Sequence, residues 1–240
     1  MIKKFIDKLL SKADSVRPRK PRFGKRVEVP ASVHGIDPTL VDRRALDVVS
    51  TLQDAGYAAY IVGGAVRDLL LGLRPKDFDV ATDATPEEVK HLFRRAFIIG
   101  RRFRIVHVVH GRGREHEVIE VSTFRAYLDS ADAEQVSGNE RTSKAALAGM
   151  THAVDASGRV LRDNVWGPQD QDAARRDFTV NAMYYDPRTQ VVVDYHKGIE
   201  DAQKRVLRMI GDAEQRYRED PVRIIRAVRF AAKLAHLGFA

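Results

Sequence analysis

Two carboxylates separated by one residue, Asp77-Phe78-Asp79, follow shortly after a Gly63-Gly64 pair. On a strand, alternate side chains share a face, so both acids point the same way. Neighbouring like charges repel unless a cation lies between them. A hard dication such as Mg²⁺ takes oxygen ligands and keeps positions open for phosphate oxygens. A glycine turn leading into a helix supplies the complementary half. Glycine lets the backbone approach a ligand, and the helix start offers N–H groups and a positive dipole end to an anion. Together the two motifs read as a seat for a metal-bound triphosphate. Neither GxxxxGK[ST] nor GxGxxG is present, so the two commonest phosphate loops are excluded.

Further chemistry-bearing residues lie on either side. Arg67 and Asp68, inside the glycine turn and helix, suit a structural ion pair or a phosphate contact by Arg67. Glu120 stands in the apolar run Val118-Ile119-Glu120-Val121, where an acid is costly unless paired or metal-bound. Beside Asp77 and Asp79 it makes the trio used in two-metal phosphoryl transfer. The preceding Glu115 and Glu117 leave a solvent-facing register open. Arg175-Arg176-Asp177-Phe178-Thr179-Val180-Asn181 offers arginines for phosphates and Asp177 or Asn181 for ribose hydroxyls. It equally fits a charged helix start with Asp177 as its cap. Asp220 and Arg223 share a face at the start of a helix opened by Pro221, suited to a nucleobase edge or to an i,i+3 ion pair. Arg226 and Arg229 continue that basic face. His107 and His110 are three apart on a strand and face opposite ways, so with His116 they make no zinc site.

These residues need a scaffold, and punctuation in the sequence outlines one. Asp37-Pro38 is expected to open a helix to Ala55, stopped by Gly56. A strand over Tyr57–Val62, the glycine turn, a helix over Ala65–Leu71 and the acid strand Phe78–Ala81 follow. Thr85-Pro86 starts a helix to about Arg94. Ala96–Ile99 is a short strand, and Phe103–His110 with Glu115–Phe124 should form an antiparallel hairpin about Gly111–Arg114. Residues 126–158 read as a long polar excursion. A helix is expected over Pro168–Tyr184, a strand over Gln190–Asp194, and helices over Gly198–Gln203, Asp212–Arg218 and Pro221–Leu237. The fold class is α/β (α+β), a small mixed sheet flanked by helices. The last helix, with no later segment in these 240 residues to cover its apolar face, is expected to lead into further helices beyond Ala240.

Composition limits the function classes. No apolar run is long enough to span a membrane, and the absence of cysteine excludes disulfides and cysteine-ligated zinc. The net charge is +8, and residues 1–30, with ten Lys/Arg and three acids, carry nearly all of it. Such an arm suits RNA or an anionic surface, or is simply a solvated tail. Residues 1–12 carry a weak amphipathic pattern that fits a membrane-surface helix. The expected division is an arm over 1–33, a head over 34–185, and the end of the head with the start of a helical unit over 186–240.

The motifs taken together resemble the class II nucleotidyltransferase family of poly(A) polymerases and CCA-adding enzymes. The resemblance rests on GGAVRDLLLG, KDFDVAT, VIEVSTFR, RRDFTVNAMYYD, the Asp194, Gly198 and Asp201 segment, and EDPVRIIRAVRFAAKL, in family order over residues 57–234. IIGRRFRIVHV and the basic arm resemble the bacterial poly(A) polymerase branch more closely. The resemblance implies a nucleotidyltransferase head followed by an all-helical neck. It implies template-independent addition of AMP from ATP to RNA 3′ ends in the cytoplasm, with CCA addition to tRNA, or an idle RNA-binding relative, as the alternatives. It implies two Mg²⁺ ions held by Asp77 and Asp79, with Glu120 as the third acid or Asp177 in that role. Gly63, Gly64 and Arg67 would cradle the triphosphate, with Arg176, Asp177 and Asn181 on the nucleotide. Asp220 and Arg223, supported by Arg226, would read the base.

Overall fold

The glycine turn and both acid-bearing strands belong to one sheet. A computed structural model of the protein describes residues 23–100, 103–112, 115–127, 134–135, 152–154 and 160–240. Residues 1–22, with the amphipathic segment and most of the basic arm, lie outside these, as does most of the expected excursion over 126–158.

The strands are β1 (Val27–Pro30), β2 (Ala59–Val62), β3 (Asp79–Thr82), β4 (Ala96–Ile99), β5 (Ile105–Arg112), β6 (Glu115–Thr123), β7 (Glu134–Gln135), β8 (His152–Val154), β9 (Val160–Asp163), β10 (Met183–Asp186) and β11 (Val191–Asp194). Eight of them form the main sheet in the order β1-β11-β10-β2-β3-β6-β5-β4, and β7-β8-β9 form a small second sheet. β3 and β6 pair in parallel, and the other pairs of the main sheet are antiparallel. The β3–β6 register sets Asp79 opposite Glu120. The expected hairpin is β5–β6, paired from Ile105↔Ser122 to Arg112↔Glu115.

The helices are α1 (Ala31–His34), α2 (Arg43–Asp54), α3 (Gly64–Leu70), α4 (Pro86–Leu92), α5 (Gln169–Arg175), α6 (Gly198–Lys204), α7 (Ala213–Glu219) and α8 (Val222–Leu234). On α2, Ala45, Val48, Val49 and Leu52 recur at helical spacing and are buried. They join Ile61, Val80, Val106, Ile119 and Val121 in the largest apolar cluster, which roots the acid strands in the core. A smaller cluster joins Phe178 and Val180 to Ala202, Leu234 and Phe239, tying the last helices to the Asp177 turn.

Three expectations are corrected. The helix expected from Asp37 begins at Arg43. Asp37 caps a short 3₁₀ turn by accepting from Thr39 N at 2.9 Å, and Asp42 caps α2 through Arg44 N at 2.8 Å. Order begins before His34, because β1 pairs with β11 from Val27↔Asp194 to Pro30↔Val191. The single helix expected over Pro168–Tyr184 is instead α5, a 3₁₀ turn over Thr179–Asn181, and strand β10. Met183, Tyr184 and Tyr185 are fully buried between β2 and β11. Aromatic residues fill a pleated interior better than a helix end, so tertiary pairing overrides the helical pattern.

Candidate active site

The site is a cavity of about 690 Å³ between the C-terminal side of the glycine turn and α8. Gly63, Gly64, Asp77 and Asp79 line it together with Arg176, Asp177 and Asn181 and with Asp220, Arg223 and Arg226. Glu120 apart, the acids and nucleotide residues identified from sequence face one cavity.

β3 begins at Asp79, so Asp77 lies just before the strand rather than in it. The alternation still holds: Phe78 is buried between two exposed acids. Glu120 sits on β6, an interior strand, with its side chain half exposed beside Asp79. The solvent-exposed edge strand is thus excluded for Glu120. His107 Nε2 stands 3.3 Å from Glu120 Oε1. Asp79 opens to the cavity, yet the protein surrounding it displaces much of its hydration. Its carboxyl is pushed up to about 6, first by this desolvation and next by the Glu120 charge, with Arg176 acting the other way.

Among the described residues, no three acid or imidazole groups already converge on one point. The donors nevertheless suit a hard cation, since Asp77, Asp79 and Glu120 offer oxygen alone. The Asp79 pKa is raised mainly by desolvation and next by the Glu120 charge, and a bound cation would offset both.

Gly63 carries the turn at φ 80° and ψ −141°, a region that side-chain-bearing residues avoid. An added Cβ would lie 3.7 Å from Asp79 Oδ2. That is ordinary contact, so Gly63→Ala is expected to cost about 1–3 kcal/mol in stability through the strained φ alone, and to shift the turn as the backbone relaxes. Thermal melts against the native protein measure the first effect, and nucleotide binding measures the second.

Arg67 departs from the phosphate contact. It is almost fully buried, its Nε and Nη2 donate to Asp68 at 2.9 and 2.7 Å, and its Nη1 donates to Asn181 Oδ1 at 2.8 Å. The ion pair is thus the arrangement formed. Arg176 is likewise held, by Asp172 at 3.1 Å and by Tyr184 at 3.1 Å. Asp177 accepts from Phe178 N at 2.8 Å and from Arg226 Nε at 2.6 Å. Arg223 donates to Glu219 and to the Arg216 and Arg175 carbonyls, which fixes it on the cavity wall beside Asp220.

Sequence reasoning missed Arg74, Lys76 and Lys233, which add positive charge to the cavity. Lys233 was detectable at helical spacing from Arg226 and Arg229. Asp172, the buried anchor of Arg176, gave no motif signal.

A mixed sheet with paired acids at the start of β3, a glycine turn and a basic helix lining one cavity is the arrangement formed. The model of the poly A polymerase head domain matches residues 59–208, more than half of the chain, which therefore belongs to that family. Poly(A) polymerase I of Haemophilus influenzae is 49% identical over 214 residues, covering 89% of this chain and 43% of that protein. Poly(A) polymerase I of Salmonella typhi is 45% identical, covering 96% and 46%. The CCA-adding enzyme of Lactobacillus helveticus is 37% identical, covering 80% and 41%. The solved Bacillus stearothermophilus CCA-adding enzyme in complex with CTP is 35% identical with a TM-score of 0.57, covering 78% of this chain and 38% of that one. The chain spans less than half the length of the curated relatives it matches.

Proposed function

We propose that the protein is a template-independent RNA 3′-adenylyltransferase that transfers AMP from ATP and releases pyrophosphate. The observation that carries the reading is the Asp79↔Glu120 register, with Asp77 alongside, next to a cavity that also holds the glycine turn and the α8 arginines. The higher identity to poly(A) polymerase I than to CCA-adding enzymes favours adenylate tails over CCA ends.

Asp77, Asp79 and Glu120 would hold two Mg²⁺ ions, which supply Lewis-acid stabilisation of charge on the transferring phosphate. Glu120, rather than Asp177, suits the third position. Its charge is the largest one acting to raise Asp79, whereas Asp177 is already paired with Arg226. The N–H groups at the start of α3 would receive phosphate oxygens, while Arg74, Lys76 and Lys233 add positive charge around them. Asp220 and Arg223 would present an acceptor and a donor to the adenine edge, with Arg223 held in place by Glu219. An arm ahead of β1 that contacts RNA, a head that runs from β1 through β11, and a helical unit that starts after it are proposed as the functional divisions. Among the described residues no helix is long and apolar enough to cross a membrane, and a cytoplasmic site is proposed.

Incubating the full-length protein with a general RNA, tRNA lacking its 3′ end, and each nucleoside triphosphate separately tests this. Long adenylate tails from ATP alone are expected. Arrest after C-C-A on the tRNA would make it a CCA-adding enzyme, and no incorporation would make it an idle RNA-binding relative.

A further inference from the structure

The cross-strand register of the main sheet draws a row of side chains outward from the acids. Asp79 stands opposite Glu120, Glu120 opposite His107, and His107 opposite Phe97 on β4, the last strand of the sheet. Directly paired residues share a face, as do residues two apart on one strand. Ile99 and Ile105, themselves paired, therefore lie on the acid face with Phe97. The alternate residues Ala96, Val106, Val108, Ile119 and Val121 point the other way, into the largest apolar cluster. On the acid face the cover changes along the row. At the β2 and β10 end, Val62 and Tyr184 are buried in a separate apolar cluster with Phe124 and Ala173. From Asp79 outward the face opens: the Glu120 side chain is half exposed, Phe97 is 55% exposed and Ile99 36%. Contiguous exposed apolar side chains beside a ligand cavity mark an interaction surface.

We propose that this shelf is a stacking platform for the last bases of the RNA acceptor, anchored by Phe97, and that it leads the 3′ hydroxyl to Asp79 and Glu120. The assignment rests on the RNA 3′-adenylyltransferase reading and adds the path of the acceptor strand. Continuity selects RNA over a protein partner. Asp79 belongs both to the cavity and to the row, so a strand reaching the acids from the β4 side crosses the shelf. The chemistry agrees. An open sheet face bearing aromatic rings stacks bases, and stacking tolerates any sequence because every base has a π-face. Glu120 repels phosphates, which turns the bases and not the backbone toward the sheet. The bond from Val109 N to Arg95 O, 2.9 Å, continues the β4–β5 ladder by one residue, so Arg95 shares the Phe97 face. It is exposed and adds positive charge for the backbone at the sheet edge. Strands lie about 4.8 Å apart, so three spacings set Phe97 about 14 Å from Asp79, the length of about four nucleotides stacked at about 3.4 Å each.

Acceptor length provides the test. Initial rates with the full-length protein, at saturating ATP and Mg²⁺, give KM for diadenylate and for an oligoadenylate of twice the length of the shelf. The dinucleotide ends short of Phe97, and the longer acceptor passes it. Phe97→Ala is expected to raise KM for the longer acceptor at least about fivefold, the low end of the loss of one stacked base. KM for the dinucleotide, KM for ATP and the melting temperature should stay close to native. Phe97→Trp should keep the native KM for both acceptors. Val33→Ala, at an exposed apolar residue next to the opposite edge strand, should change neither. An unchanged KM for the longer acceptor in Phe97→Ala would overturn the platform, as would an equal rise for both. A dimer that Phe97→Ala splits on sedimentation, with KM unmoved, would give the shelf to a second copy of the chain instead. A native protein that fails to add adenylate would count against the adenylyltransferase reading. Fluorescence anisotropy of the labelled longer acceptor in EDTA would then decide the platform alone, by the same fivefold criterion.

Discussion

Asp79→Asn is expected to stop nucleotidyl transfer and, at the same time, to make the metal-free protein more stable. The loss should be on the order of a thousandfold or more, since a metal-holding carboxylate supports several kcal/mol of transition-state stabilisation. The gain in stability follows from the environment of the acid. Desolvation and the Glu120 charge raise its pKa to about 6, above the ordinary 3.8. A carboxyl whose pKa is raised on folding contributes stability that is full below the unfolded value and is lost as pH rises through the folded one. At pH 7.5 the ionised group is therefore a cost, and the neutral amide removes it. Because the side chain opens to water in the cavity, screening reduces that cost to roughly 1 kcal/mol. In EDTA, the Asp79→Asn substitution is expected to raise Tm by about 2–4 °C at pH 7.5, the response to such a change in a chain of this size. The gap should narrow between pH 6 and 4 as native Asp79 protonates. Added Mg²⁺ should stabilise the native protein and leave the variant unmoved, because a ligand stabilises only the state that binds it. A gap that stayed constant down to pH 4 would show that the crowded carboxylates are not its source.

The parts of the site that could be read from sequence were those set by local periodicity. Asp77-Phe78-Asp79 disclosed its geometry because a strand alternates faces, and the acids remain on one side even though the strand starts only at Asp79. The Asp220 and Arg223 face and the α8 arginines were readable for the same reason, at a period of 3.6. Partner choice was not readable. Arg67 had two plausible counterparts in sequence, a phosphate or Asp68, and only the fold brings Asn181 to it from 114 residues away. Nor was β10 visible, because Met183-Tyr184-Tyr185 continues a helical pattern locally and becomes a strand only through β2 and β11. The third acid lay between these cases. Glu120 and Asp177 each had a motif, and the proposal of Glu120 draws its support from the β3–β6 register together with the Arg226 ion pair on Asp177, neither of which is readable in sequence.

That same blindness to partners hid Asp172, whose replacement by alanine is expected to be the most destabilising single change near the site. Asp172 is 6% exposed and accepts four hydrogen bonds: from Arg125 N at 3.1 Å, from Tyr184 Oη at 2.8 Å, and from Arg176 Nε and Nη2 at 3.2 and 3.1 Å. Burial opposes the charge of both partners. The Arg176 guanidinium nevertheless holds the Asp172 carboxyl below its usual range, and Tyr184 and Asp172 in turn keep Arg176 charged. Removing the acid leaves Arg176 without its counter-charge and Tyr184 without its acceptor. Stranding one member of a buried pair costs about 3–5 kcal/mol, which corresponds to a fall in Tm of roughly 10 °C. Tyr184→Phe removes two hydrogen bonds, the one the phenol donates to Asp172 and the one it accepts from Arg176 Nε, but leaves the ion pair, so about 1–2 kcal/mol is expected. Thermal melts of the two variants separate the contributions: similar falls would mean that the phenol, not the ion pair, anchors the turn. Because Asp172 holds Arg176, and Arg176 is the cation acting most strongly to lower the Asp79 pKa, Asp172→Ala should also disturb the metal acids from a distance. A reduced Mg²⁺ affinity in any Asp172→Ala protein that remains folded would register that coupling.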